Sequence, residues 1–160
     1  MDKKGVEALY KVVDSIKDEF DNNPFVNQTT MGTLTEVDLL KNTIFPLAHI
    51  TINNVQLNEN NLVFNITIFN LDIVTIIKED EGNLFFGNDN LMYILTNQLY
   101  VINRLVSRLR QRTLYNDGWE ISGTPQSDVI NKEMENMLAG YQTTINIVVP
   151  NDINMCYAEV

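Results

Sequence analysis

Residues 62–77 read LVFNITIFNLDIVTII, the longest apolar run in the chain and the one that decides its fold class. The run is crowded with β-branched residues, which favours a strand over a helix. Asn65, Asn70 and Asp72 interrupt it too often for a membrane span. In a strand, Leu62, Phe64, Ile66 and Ile68 share one face, with Val63, Asn65 and Thr67 on the other. After Ile68 the phase changes: Phe69, Leu71 and Ile73 become the apolar set, and Asn70 and Asp72 the polar one. That change predicts a bulge or sharp bend at Ile68/Phe69. It also predicts a division of labour, the first half serving the subunit core and the second half, from Phe69, projecting towards a neighbour.

Working outward, Ile44–Val55 is a second apolar segment, with Pro46 near its start, where a strand best tolerates a missing donor. The asparagines at 53, 54, 58, 60 and 61 mark a turn, so 44–57 and 62–77 are expected to pair as an antiparallel hairpin. The polar stretch 27–35 reads as an extended arm or weak edge strand. On the other side, residues 90–112 carry the strongest helical pattern. Leu91, Ile94, Leu95, Leu99, Ile102, Leu105, Val106 and Leu109 form its expected buried stripe, and Asn88-Asp89-Asn90 its N-cap. A first helix is expected over 3–20, with Val6, Leu9, Val13, Ile16 and Phe20 inward and Asn22-Asn23-Pro24 as its stop.

Trp119-Glu120-Ile121 begins a short strand expected to run to Gly123 and Pro125. Residues 126–137 are expected to form a loop with a helical turn. Tyr141, Thr143, Ile145, Ile147 and Val149 alternate with polar residues as a clean final strand. The expectation is one α+β domain over 1–160. It has a mostly antiparallel β-sheet, with the N-terminal helix and the long central helix packed on one face, and extended loops around 27–35, 79–88 and 126–137.

The charge is lopsided: 11 Lys and Arg against 21 Asp and Glu give a net charge of −10. Sequence-independent nucleic-acid binding needs a basic surface that displaces counterions, so a DNA or RNA grip is disfavoured. An apolar fraction of 44% excludes wholesale disorder. The N-terminus has no apolar stretch of the signal-peptide kind, and no run reaches the ~18 apolar residues of a membrane span. The expectation is a protein made in the cytoplasm with no membrane partner.

Motifs for chemistry are sparse. His49 is the one histidine and Cys156 the one cysteine, which excludes an intrachain disulfide and leaves a zinc site short of ligands. A His–carboxylate pair can move protons, but His49 lies in the apolar setting Pro46-Leu47-Ala48-His49-Ile50 and reads as a buried strand residue. Cys156 has no activating base near it in sequence. Glu79-Asp80-Glu81 matches no calcium loop and reads as solvated. No dinucleotide or phosphate-binding glycine motif occurs. The expectation is therefore no enzyme, no catalytic residue, no metal and no cofactor.

Arg104, Arg108, Arg110 and Arg112 are the one concentrated basic feature. They suit carboxylates on a neighbouring subunit or, less well in so acidic a chain, DNA phosphates, and otherwise serve as solvated cations at a helix C-terminus. Together with Pro46 and Asp72 they are the candidate inter-subunit contacts. Long polar loops in a chain without catalytic motifs favour an interaction role.

Three stretches carry a resemblance: Glu36–His49 (EVDLLKNTIFPLAH) before the apolar strand, Val101–Val106 (VINRLV), and Leu138–Tyr141 (LAGY) leading to Val148–Asp152 (VVPND). As a set, over residues 34–152, they resemble small structural proteins of tailed bacteriophages at the head–tail junction or tail terminus, including those of crAss-like phages. The resemblance implies a tail-terminator or tail-completion fold whose protomers form a ring of six or twelve. Its partners would be portal, neck or tail proteins, and its place the virion, with DNA passing through the lumen without specific binding. An alternative role is a protein-binding adaptor in phage assembly that forms no ring.

Overall fold

The computed structural model describes residues 8–33, 44–76, 89–111, 119–133 and 137–151. The elements are α1 (Ala8–Asp21), β1 (Gln28–Met31), β2 (Leu47–Leu57), β3 (Asn61–Ile73), α2 (Leu91–Arg110), β4 (Glu120–Glu133) and β5 (Leu138–Pro150). The fold is α+β. Five strands form one sheet in the order β1-β2-β3-β5-β4, with β1 parallel to β2 and the other pairs antiparallel.

β3 sits at the centre of the sheet, as its composition predicts. A strand with neighbours on both sides satisfies its whole backbone through pairing, so apolar side chains cost nothing there. The expected hairpin forms between β2 and β3. On one face Ala48, Ile50, Phe64, Ile66, Ile68, Ile145, Ile147 and Val149 pack against Val12, Ile16 and Phe20 of α1 and Val101, Ile102, Leu105 and Leu109 of α2. Both helices therefore cover the same face. Each fully buried aliphatic or aromatic side chain in this layer contributes ~1.5–3 kcal/mol.

The predicted bulge at Ile68/Phe69 is absent. β3 pairs with β5 without a break from Asn61↔Pro150 to Ile73↔Leu138. The phase change has another cause: this end of the sheet is buried on both faces. Phe69 and Leu71 enter a second core with Leu47, Ile130 and Leu138, flanked by Phe45, on the side away from the helices. The bulge lies instead in β2, where Asn53 is the extra residue between Ile52 and Asn54. The expected division at Phe69 fails for the same reason. Phe69, Asn70 and Leu71 are interior to this chain, and exposure begins only at Ile73 (38%) and Ile76 (72%).

Of the two readings of 27–35 the edge strand forms: β1 is held by parallel pairing to β2. Two further expectations change. Residues 126–133 continue β4 instead of forming a loop, because Gln126–Ile130 pair with Thr144–Gly140 of the apolar β5. The loop expected at 79–88 and the helical residues 3–7 lie outside the described residues. In α2, Gln98 is buried and Leu99 is 50% exposed, the reverse of the expected stripe. The inward face is set by Ile94, Val101, Ile102, Leu105 and Leu109, and that helical phase carries position 98 inward.

Gly140, in the Leu-Ala-Gly-Tyr stretch, has φ 151°, and a Cβ there would lie 1.7 Å from the Asn70 carbonyl oxygen. Only glycine permits β5 to approach β3 this closely.

Candidate assembly edges and the amide ladder

Arg104 and Arg108 lie one turn apart on α2, and both reach Glu19 of α1. Arg108 Nη1 stands 3.1 Å from Oε2 and Arg104 Nε 3.0 Å from Oε1. The Arg104 approach is an ion pair whose angle makes no well-formed hydrogen bond to Oε1. Glu19 is 4% exposed and lies on the inward side of α1, between Ile16 and Phe20. A buried carboxylate needs such partners. The signal was in the sequence: an acid three residues after Ile16 falls on the apolar stripe and calls for a cation. Within this chain, then, two of the four arginines are engaged by α1. Arg110 is exposed in the last turn of α2, and Arg112 lies outside the described residues.

Pro46 precedes β2, and its carbonyl accepts hydrogen bonds from the N–H groups of Asn27 (2.8 Å) and Gln28 (3.4 Å), which dock β1. Asp72 stands half-buried at the end of β3. Burial pushes its carboxyl above the usual carboxylate range, partly offset by the Ile73 N–H it accepts at 2.8 Å. Pro46 and Asp72 thus stand opposite each other at one end of the β2–β3 hairpin, beyond the Leu47–Leu71 pair, while Arg104 and Arg108 are turned to Glu19 of α1.

His49 is buried, as expected. Nδ1 lies 2.7 Å from Thr30 Oγ1, and Nε2 lies 3.2 and 3.1 Å from the carbonyls of Gly32 and Thr33. Two carbonyls at Nε2 require the N–H there, so Nδ1 accepts from the Thr30 hydroxyl. The ring ties β1 and the turn after it to β2. Asn90 occupies the N-cap of α2, but its Oδ1 accepts the Thr75 N–H (2.8 Å), and Asp89 Oδ1 instead accepts the Leu91 N–H (3.1 Å). Asp89 also pairs with Lys132 of β4 at 2.6 Å, and that hydrogen bond, with the Leu91 N–H, holds its carboxyl below the ordinary range.

The face of the sheet away from the helices carries a feature that residue-by-residue motif reading missed. Asn53 Nδ2 donates to Asn65 Oδ1 (2.7 Å) and Thr67 Oγ1 (2.6 Å); Asn65 Nδ2 donates to Asn146 Oδ1 (2.7 Å). The Thr67 and Thr144 hydroxyls are 3.0 Å apart. This amide and hydroxyl ladder crosses β2, β3 and β5, and Ser122 of β4 lies opposite Asn146 at its end. Its signal was the abundance of asparagine and threonine at alternate strand positions, which only the strand register aligns.

Among the described residues, neither outer strand of the sheet has a further strand paired to it. β4, fourteen residues long, is one. The other is stepped: β1 pairs with Leu47–Ile50 of β2, Gly32 follows with its N–H on the Ile50 carbonyl and its own carbonyl accepting from the Thr51 hydroxyl, and no described strand pairs with the outer side of residues 52–57. An open edge presents unpaired backbone donors and acceptors. α2 adds an exposed band of Met92, Tyr93, Leu99 and Tyr100, the last edge-to-face with Phe25 at 5.6 Å. Among the described residues there is no cluster of three or more His, Cys, Asp or Glu able to hold a metal ion, and no helix is long and apolar enough to cross a membrane. No protein-family model matches the chain, and no curated protein matches it in sequence.

Proposed function

We propose that this chain is a structural, non-enzymatic virion protein of tailed bacteriophages that builds an oligomeric ring at the head–tail junction or tail. In this role it acts as a tail terminator or connector that docks portal, neck or tail proteins. The resemblance over residues 34–152 points to that setting, with rings of six or twelve. The observation that carries the reading is that the two outer strands, β1 beside β2 at one side of the sheet and β4 at the other, are dissimilar and have no further strand paired to them among the described residues. A subunit with two different unfinished edges associates head to tail, and a head-to-tail contact closes into a ring when the rotation per subunit divides a full turn.

The charge distribution supports the same role. β2, β3 and β5 contain no lysine or arginine, and the chain as a whole carries −10. Such a subunit, repeated around an axis, offers DNA phosphates little to bind, so DNA passes without being held.

Mass photometry and negative-stain imaging of the purified protein at micromolar concentration test the proposal. Closed rings of uniform subunit number are expected. A monodisperse monomer that stays monomeric with portal or tail proteins present would refute it in favour of the adaptor role. Localisation in a whole-virion reconstruction then identifies the neighbours.

A further inference from the structure

We infer that the first turns of α2, residues 91–99, form a segment that opens from the sheet on its own while the rest of the helix stays seated.

The floor beneath α2 changes character along its length. Asp89 pairs with Lys132 of β4, and Asn90 is bonded to the backbone of Ile73 and Thr75 at the end of β3. The helix therefore starts over β5, which lies between those two strands. From that end β5 turns Ala139, Tyr141 and Thr143 to the helix side before Ile145 and Ile147, and β3 sets Asp72, Asn70 and Ile68 beside the first three. The second half of α2 closes on apolar groups: Val101, Ile102, Leu105 and Leu109 share one core with Ile66, Ile68, Ile145 and Ile147. The first half starts on polar ones, with Asn70 and Thr143 buried and Asp72 and Tyr141 partly so.

Two amides are stranded there. Asn70 is wholly buried in the floor, and Gln98 is buried on the underside of the helix. Among the described residues, neither side-chain atom of Asn70 meets a hydrogen-bond partner, and Gln98 Oε1 meets none either. A buried amide without partners destabilises the closed state, and water relieves it on opening.

Little apolar burial opposes that relief. Ile94 is the one fully buried apolar side chain of residues 91–99, while Met92, Tyr93 and Leu99 face solvent. This half of the helix thus carries an amide inward and apolar residues outward, the reverse of the half that follows. A segment with so few buried apolar contacts opens at a free energy below that of global unfolding. The opening belongs to the single chain and needs no ring.

Amide hydrogen exchange of the full chain, read residue by residue by NMR, tests the segment. In the wild type, amides 95–99 are expected to exchange about 100-fold faster than amides 105–109 once intrinsic rates are corrected for. Asn70→Leu, close in size, removes the stranded amide of β3 and is expected to slow exchange at 95–99 about tenfold. Gln98→Leu should do the same from the helix side, and it keeps the test open should the first variant not fold. Equal protection along the whole of α2 in the wild type would overturn the separate opening. Unchanged exchange at 95–99 in the folded variants would overturn it in favour of simple fraying of a helix end, which does not involve Asn70. Faster exchange there in both variants would show that the amides have partners, and would overturn it as well.

Discussion

Glu19 Oε2 of α1 lies 3.1 Å from Arg108 Nη1 of α2, and this pair, joined by Arg104, is a polar link between the two helices that cover the sheet. The partners are unequal: the carboxylate is buried, while the guanidinium groups reach solvent. Losing the acid and losing the bases should therefore differ. Glu19→Gln leaves two cations able to turn to water and costs about 1–2 kcal/mol. Arg104→Ala with Arg108→Ala strands a buried charge and is expected to lower the melting temperature further than Glu19→Gln. Thermal unfolding by circular dichroism ranks the two variants, and the reverse order would contradict the asymmetry.

Gly140 offers a sharper test of the β3–β5 contact. Gly140→Ala drives a methyl into the Asn70 carbonyl, and the strands must separate or twist. The expected loss is about 3 kcal/mol or more in urea unfolding. Gly123→Ala has open space around it and carries only the strain of φ +74°, about 1–2 kcal/mol. Equal midpoints for the two variants would show that the close approach is absent.

The two perturbed acids on β3 and before α2 predict opposite pH behaviour. Burial raises the Asp72 carboxyl above its ordinary value of 3.8. The native state therefore holds this proton where the unfolded chain has lost it, and stability falls as pH rises from 3.8 through the raised value. Asp72→Asn removes that loss and should stabilise the protein at neutral pH, with no gain below the window. Asp89 is lowered by Lys132. Its contribution is present above 3.8 and disappears as pH falls through the lowered value. Lys132→Ala should therefore flatten the acid limb of the stability profile. Urea midpoints collected from acid to neutral pH separate the two carboxyls.

His49→Ala removes the ring that holds Thr30 and the carbonyls of Gly32 and Thr33. The expected cost is about 2–4 kcal/mol, from a buried cavity and lost hydrogen bonds. Because β1 is four residues long and held on one side, cleavage near Gly32 in limited proteolysis should rise more than cleavage in β3. Uniform protection across the two sites would count against this anchoring role.

Much of the architecture is legible in local pattern. The period-two runs of β3 and β5 and the 3.6-residue stripe of α2 locate the core, because one buried face imposes its period on the residues that fill it. Of β4 only the first part, to Pro125, is legible in the sequence, since the polar stretch 126–133 of an edge strand shows little alternation. Leu99 and Gln98 exchanged places because a helix's inward direction is set by what it packs against, and a stripe's edges are ambiguous by one position.

The residues of 62–77 by themselves determined that this chain is built on a central strand: only a strand paired on both sides has use for so many β-branched side chains in succession. Tertiary structure decided the rest. The phase change at Phe69 looked like a kink, and it became a straight strand between two cores once Leu47, Ile130 and Leu138 closed over the second face. The asparagines became a ladder, and Glu19 found its arginines, only when segments far apart in sequence were set side by side. Non-local register carries that information, and no local period encodes it.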